Sequence, residues 1–209
     1  GVAQFNGKTY HRLYIPELNS KILGGFENIN YIDKNNVIIG VDEDELCGED
    51  ETFTLSIPAD SGIVEIGFDA FNECMKMTEI TIPASVTTIS NQLFRNAKSL
   101  KSVTMSDDVT SIGDQVFNSC VALESIKLPS SLTSLGANAF NGCSALKSVE
   151  VPEGVTKLNN YTFQNCTSLE SVKLPEGLTS MGTYVFKGCS ALKSVEIPEG
   201  VTSIGNYSF

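Results

Sequence analysis

The chain has 209 residues and carries 25 aspartates and glutamates against 14 lysines and arginines, a formal net charge of −11. This excess of negative charge argues against a phosphate-backbone partner and so excludes nucleic acid as a ligand class. No apolar run approaches the roughly 20 residues of a membrane span, which argues against insertion of this segment.

Residues 1–60 hold 11 acidic and 4 basic residues, so much of the charge lies at the start. That start shows neither the basic nor the apolar region of a signal peptide. The chain begins at Gly1 and stops at Phe209 inside a repeat, which reads as a fragment of a longer protein whose last layer needs covering.

Residues 1–52 form the first region and lack the period that governs the rest. Asn6-Gly7 between Val2–Phe5 and Lys8–Tyr10 predicts a hairpin, because both residues tolerate the positive φ of a tight turn. Ile29–Ile32, a turn at 33–36 and Val37–Val41 predict a second one. This segment is expected to cap the sheet edge and open core of the first coil. Gly1 to Thr9 only superficially suggests a phosphate loop, since five residues separate its glycines where four are needed. His11, the sole histidine, has no catalytic partner indicated by sequence. The acidic run at 42–51 lacks the spacing and glycine of a calcium loop and reads as a solvated loop. Cys47 reads as an exposed thiol.

From residue 53 to 209 a repeat takes over. Phe71, Phe94, Phe117, Phe140, Phe163, Phe186 and Phe209 lie 23 residues apart. Cys74, Ala97, Cys120, Cys143, Cys166 and Cys189 form a second column, and Met77, Leu100, Leu123, Leu146, Leu169 and Leu192 a third. Further apolar columns run through Ile126 and Leu128 and their counterparts, then through Leu132 and Leu135. Ile126-Lys127-Leu128 alternates as a strand with one buried face does, and Pro129 ends it. Ile112, Val116, Cys120 and Leu123 are three or four apart, which predicts one or two helical turns on the opposite side. The fold class that follows is α/β: a solenoid of about seven coils, with a parallel sheet of roughly 30–35 Å and short helical turns across from it. One coil cannot offset its own backbone entropy, whereas stacked coils bury both faces of every layer.

Ala139-Phe140-Asn141-Gly142-Cys143-Ser144-Ala145-Leu146-Lys147-Ser148-Val149-Glu150-Val151-Pro152-Glu153-Gly154-Val155-Thr156 resembles the repeat of BspA-type, treponemal-like leucine-rich repeat proteins. Ala97 for Cys, Ser106 for Pro and Asn159 for Gly depart from that pattern and are expected to loosen single coils without breaking register. The resemblance covers about residues 53–209 and implies a right-handed solenoid with its sheet on the concave face. It also implies a non-enzymatic extracellular or cell-surface protein of a host-associated bacterium, used in adhesion. Its implied partners are host matrix or cell-surface proteins, or glycans, and it implies no cofactor.

The period sorts the remaining candidates. Cys120, Cys143, Cys166 and Cys189 point into the core and read as buried thiols; disulfides between adjacent coils and metal binding are the alternatives. Asn160-Tyr161-Thr162, Asn165-Cys166-Thr167 and Asn206-Tyr207-Ser208 fit the glycosylation pattern. Two columns alternate in charge: Lys101, Glu124, Lys147, Glu170, Lys193, and Thr81, Thr104, Lys127, Glu150, Lys173, Glu196. Opposite signs are therefore expected side by side on consecutive coils. Ser144–Thr156 nearly repeats as Ser190–Thr202, 46 residues later, so the array has a two-coil superperiod. The candidate contact residues are Glu79, Thr81, Lys101, Ser102 and Thr104 in the more varied early coils, and Lys127, Glu150, Lys173 and Glu196 in the later ones. No catalytic, cofactor or metal residue is assigned. A passive spacer, or the glycan-binding arm of a larger enzyme, stands beside adhesion as a reading.

Overall fold

The computed structural model describes residues 2–5, 8–11, 31–32, 37–40, 52–57, 59 and 62–209. The turn at Asn6-Gly7, the loop at 33–36, the acidic run at 42–51 and Cys47 lie outside them. Before the array come β1 (Val2–Phe5), β2 (Lys8–His11), β3 (Tyr31–Ile32) and β4 (Val37–Gly40). β1 pairs antiparallel with β2, with Phe5 opposite Lys8, and β3 pairs antiparallel with β4. Both hairpin pairings expected from the sequence are present. His11 stands opposite Val2 as an ordinary ladder residue.

The array adds β5 (Phe53–Ser56), β6 (Glu65–Ile66), β7 (Met77–Thr81), β8 (Thr88–Ile89), β9 (Ser102–Thr104) and β10 (Ser111–Ile112). It continues with β11 (Ser134–Leu135), β12 (Ser148–Glu150), β13 (Lys157–Leu158), β14 (Ser171–Lys173), β15 (Ser180–Met181) and β16 (Ser203–Ile204). Two parallel ladders run along it. The broad ladder is β5-β7-β9 and then β12-β14; the narrow one is β6-β8-β10-β11 and then β13-β15-β16. β4 adds to the narrow ladder beside β6, parallel to it, and β3 lies outside β4. The solenoid has about six turns, because seven Phe residues bound six full periods.

Register follows the period. Ser148, Val149 and Glu150 face Ser171, Val172 and Lys173, each 23 residues on. The Phe, Cys and Leu columns are core up to the last coil, where Leu192 is half-buried and Phe209 exposed: Phe71, Phe94, Phe117, Phe140 and Phe163 are completely buried. Their rings stack along the axis, at 5.2 Å from Phe117 to Phe140 and 5.5 Å from Phe140 to Phe163. The cysteine column does more than fill space. Cys120, Cys143, Cys166 and Cys189 are free, and each thiol donates to the Phe carbonyl of the coil before, at 3.0–3.1 Å. Cys74 is instead disulfide-bonded.

The side expected to carry helical turns carries none: no helix forms among the described residues. The physical reason is competition for the same N–H groups. Gln115, Phe117 and Ser119 donate theirs to Ala137, Ala139 and Asn141 of the next coil at 2.8–2.9 Å, so none is left for an i→i−4 bond. Gln115 and Ser119 hold φ of 57° and 62°, left-handed values that break any helical run. What remains are i→i+3 turns, such as Cys120 N–H to the Phe117 carbonyl at 3.1 Å. The three-or-four spacing of Ile112, Val116, Cys120 and Leu123 reflects this turn path rather than a helix.

A second difference concerns 126–128. The expected strand reduces to one isolated bridge, Ser125 to Ser148. On its other side Asp107 takes over: its carboxylate accepts the Ser130 N–H at 2.9 Å and pairs with Lys127 at 3.5 Å. Ser106, in place of Pro, keeps the turn. Its carbonyl accepts the Val109 N–H at 3.3 Å, and its hydroxyl accepts the Asp108 N–H at 3.1 Å.

Close coil-to-coil approach fixes Gly136. A Cβ there would lie 2.3 Å from the Gly113 carbonyl carbon and oxygen, which are backbone and cannot swing away. We expect Gly136→Ala to cost about 1–3 kcal/mol in a urea melt, as overpacked sites do. An unchanged midpoint would mean that the coils there are further apart.

Candidate interaction surface

The broad ladder sets the surface. Along each strand the inward residue belongs to a core column, such as Val149, and its neighbours Ser148 and Glu150 point out and are exposed. Pleating alone dictates this. The outward positions are serine or charged in the later coils: Ser125 and Lys127, Ser148 and Glu150, Ser171 and Lys173, Ser194 and Glu196.

The structure brings the candidates together in two groups. On β5-β7-β9, Glu79 faces Ser102 and Thr81 faces Thr104. Lys101 precedes β9 and is exposed, its N–H donating to the Thr78 carbonyl at 2.7 Å. On β12-β14, Glu150 faces Lys173. Lys127 and Glu196 flank that pair on coils whose outward residues lie outside the ladder strands.

Charge alternation is realised at two places. Lys173 Nζ meets Glu150 Oε1 at 2.5 Å, and Lys147 Nζ meets Glu124 Oε2 at 3.5 Å. Lys127 departs from the expectation. It turns back to Asp107 instead of forward to Glu150, because Lys173 already holds Glu150. The hydrogen bond to Glu150 raises the Lys173 ammonium above its usual range. The Ser130 N–H, and then Lys127, hold the Asp107 carboxyl below its own. All of these pairs are solvent-exposed, so they set local geometry and charge more than stability.

Two clefts open on this face. One, of about 520 Å³, is lined by Ser125, Lys127, Leu128, Ser148, Glu150 and Glu153 among others. The other, of about 550 Å³, is lined by Ser171, Lys173, Leu174, Ser194, Glu196 and Glu199 among others. Lys127, Glu150, Lys173 and Glu196 therefore line these two clefts, and Glu79, Thr81, Lys101, Ser102 and Thr104 border neither of them. Sequence reasoning missed Glu153 and Glu199. They follow the proline of each repeat, and their signal was that Glu153, Glu176 and Glu199 share one sign where the strand columns alternate. It also missed a ladder on the turn side. Tyr161, Tyr184 and Tyr207 stack at 5.1 and 5.2 Å, with Lys187 Nζ 4.6 Å from the Tyr184 ring centre. Three tyrosines two places before Phe were the available signal.

The fold resembles solved bacterial structures. A leucine-rich repeat protein of T. pallidum is 29% identical, with 74% of this chain and 73% of that one aligned and a TM-score of 0.70. A leucine-rich cell surface protein of Faecalibacterium prausnitzii is 27% identical over all of this chain and 52% of its own, with a TM-score of 0.72. A leucine-rich repeat protein of Bacteroides ovatus is 31% identical over 84% of this chain and 53% of its own, with a TM-score of 0.62. The chain thus spans about half the length of the latter two. No curated protein matches it. The model of the BspA type leucine-rich repeat region matches residues 43–168 and 110–209, in six copies. With a 23-residue period, a stacked Phe column and parallel ladders behind that match, the chain belongs to the BspA-type leucine-rich repeat family.

Proposed function

We propose that this chain is the binding module of a secreted or cell-surface protein and contacts a protein partner through the outward face of the broad ladder. The observation that carries the reading is the pair of clefts on that face. Their rims hold Lys127, Glu150, Lys173 and Glu196, while the period commits the apolar columns beneath to the core. Glu79, Thr81, Lys101, Ser102 and Thr104 extend the face toward the first coil. A repeat scaffold presents such a surface to extended partners. The likeness to a cell surface protein of F. prausnitzii supports the location, and so does the disulfide at Cys74, since disulfides persist in oxidising compartments. Residues 1–52 serve as the N-terminal cap of the solenoid at residues 53–209, a role supported by β4 pairing with β6. The role is non-enzymatic.

A solid-phase screen against matrix proteins, host surface proteins and glycans tests this. The expected result is saturable binding to a protein, lost when Lys127, Glu150, Lys173 and Glu196 are all replaced by alanine. Binding that survives those changes rules out the sheet face. Silence across the whole panel favours the passive spacer.

A further inference from the structure

The two clefts are copies of one another. Adding 46 residues to Ser125, Lys127, Leu128, Ser148, Glu150 and Glu153 gives Ser171, Lys173, Leu174, Ser194, Glu196 and Glu199, which line the second cleft in the same order. Forty-six residues are two coils. Between the clefts, β12 and β14 are joined by three ladder pairs and by the Lys173–Glu150 contact. Across the first cleft the ladder is down to the Ser125–Ser148 bridge, with the Lys147–Glu124 ion pair beside it at 3.5 Å, and across the second no ladder pairing occurs among the described residues. The coil interfaces therefore run open, closed, open, with the two-coil superperiod of the sequence.

The chemistry inside each cleft is also shared. Leu128 and Leu174 are buried floors, and serine hydroxyls stand on the walls. Both lysines lean to a carboxylate of the coil before, Lys127 to Asp107 and Lys173 to Glu150. Glu196 and Glu199 form no ion pair among the described residues, and Glu153, also outside any ion pair, accepts the Glu176 N–H on Oε2 at 3.2 Å. Each cleft thus offers an apolar floor below a carboxylate outside any ion pair. That combination fits a lysine or arginine side chain, which lays its methylenes on apolar surface and carries its charge at the tip.

Spacing selects the shape of the partner. Ladder-paired parallel coils lie about 4.8 Å apart, so equivalent points two coils away, with one of the two interfaces open, are roughly 9.6 Å apart or slightly more. A polyproline II helix brings every third residue to one side at about 9.3 Å. A β-strand fails here, because its residues i and i+3 point to opposite faces. We propose that the two clefts are paired subsites for one peptide in polyproline II conformation with a basic side chain at every third residue. This rests on the sheet-face reading given above.

Fluorescence anisotropy with two synthetic probes of equal composition tests it. One is four Pro-Pro-Lys triplets in tandem; the other gathers its lysines at one end. Joint occupation of two linked sites should make the triplet probe bind at least about tenfold tighter. Glu153→Gln, or Glu196→Gln with Glu199→Gln, should each bring it down to the level of the clustered probe. Equal affinities that fall with those variants overturn the pairing and leave the sheet face standing. Triplet binding at full strength in every variant overturns both. No binding of either probe overturns the inference, and the sheet-face reading then rests on the solid-phase screen.

Discussion

Phe140→Ala should lower the unfolding free energy by about 3–5 kcal/mol, the range for truncating a buried aromatic. Phe140 is completely buried and is stacked on Phe117 and Phe163 at 5.2 and 5.5 Å. Its loss opens a cavity between two layers and removes both ring contacts. The neighbours cannot collapse into the gap, because their N–H groups are tied coil to coil: Phe117 to Ala139 at 2.8 Å and Phe140 to Thr162 at 2.9 Å. Urea melts followed by circular dichroism measure the difference. A loss below about 1 kcal/mol is less than burial of such a ring contributes and would remove the Phe column from the core.

The second large effect is alkaline. Burial pushes the Cys120 and Cys143 thiols above their ordinary 9.0. Below pH 9 these thiols are protonated in both states, so the stability they allow is fully present. Above it, the unfolded thiols ionise while the folded ones stay neutral. The unfolded state then binds fewer protons, and stability falls as pH rises. Each thiol contributes a slope that rises toward about 1.4 kcal/mol per pH unit as the unfolded thiol ionises. Two of them should remove about 2 kcal/mol between pH 9 and 10. Other groups titrate in this range, so the comparison is with a Cys120→Ala/Cys143→Ala variant. Alanine fits this column, as fully buried Ala97 shows. The variant should lose less stability than the parent over that interval; identical slopes would show that both thiols reach solvent in the folded state.

Much of this was legible in the sequence because the period does the sorting. A residue repeated every 23 positions meets its own copy in the next coil. Phe140 therefore had to touch Phe117 and Phe163, and Glu150 had to face Lys173. The turn side was not legible in the same way. Apolar spacing there looks helical, but the choice between helix and coil-to-coil ladder depends on where the N–H groups of Gln115, Phe117 and Ser119 go, and no single-residue preference records that. Nor could the columns show that Lys127 chooses Asp107 over Glu150. That choice depends on a turn residue 20 positions back and on a competitor two coils ahead. The clefts follow from these choices, so the sequence pointed to Lys127, Glu150, Lys173 and Glu196 without the paired sites they border.

In the function proposed above, binding falls to the residues that the period leaves outside the core. The most direct measurement combines a thermal melt with partner binding for the Lys127→Ala/Glu150→Ala/Lys173→Ala/Glu196→Ala variant. The side chains of Glu150 and Lys173 are 69% and 68% exposed, so the melting temperature should stay within a few degrees of the parent. Binding to the partner found in the screen should be lost. Intact binding at an unchanged melting temperature would contradict the account.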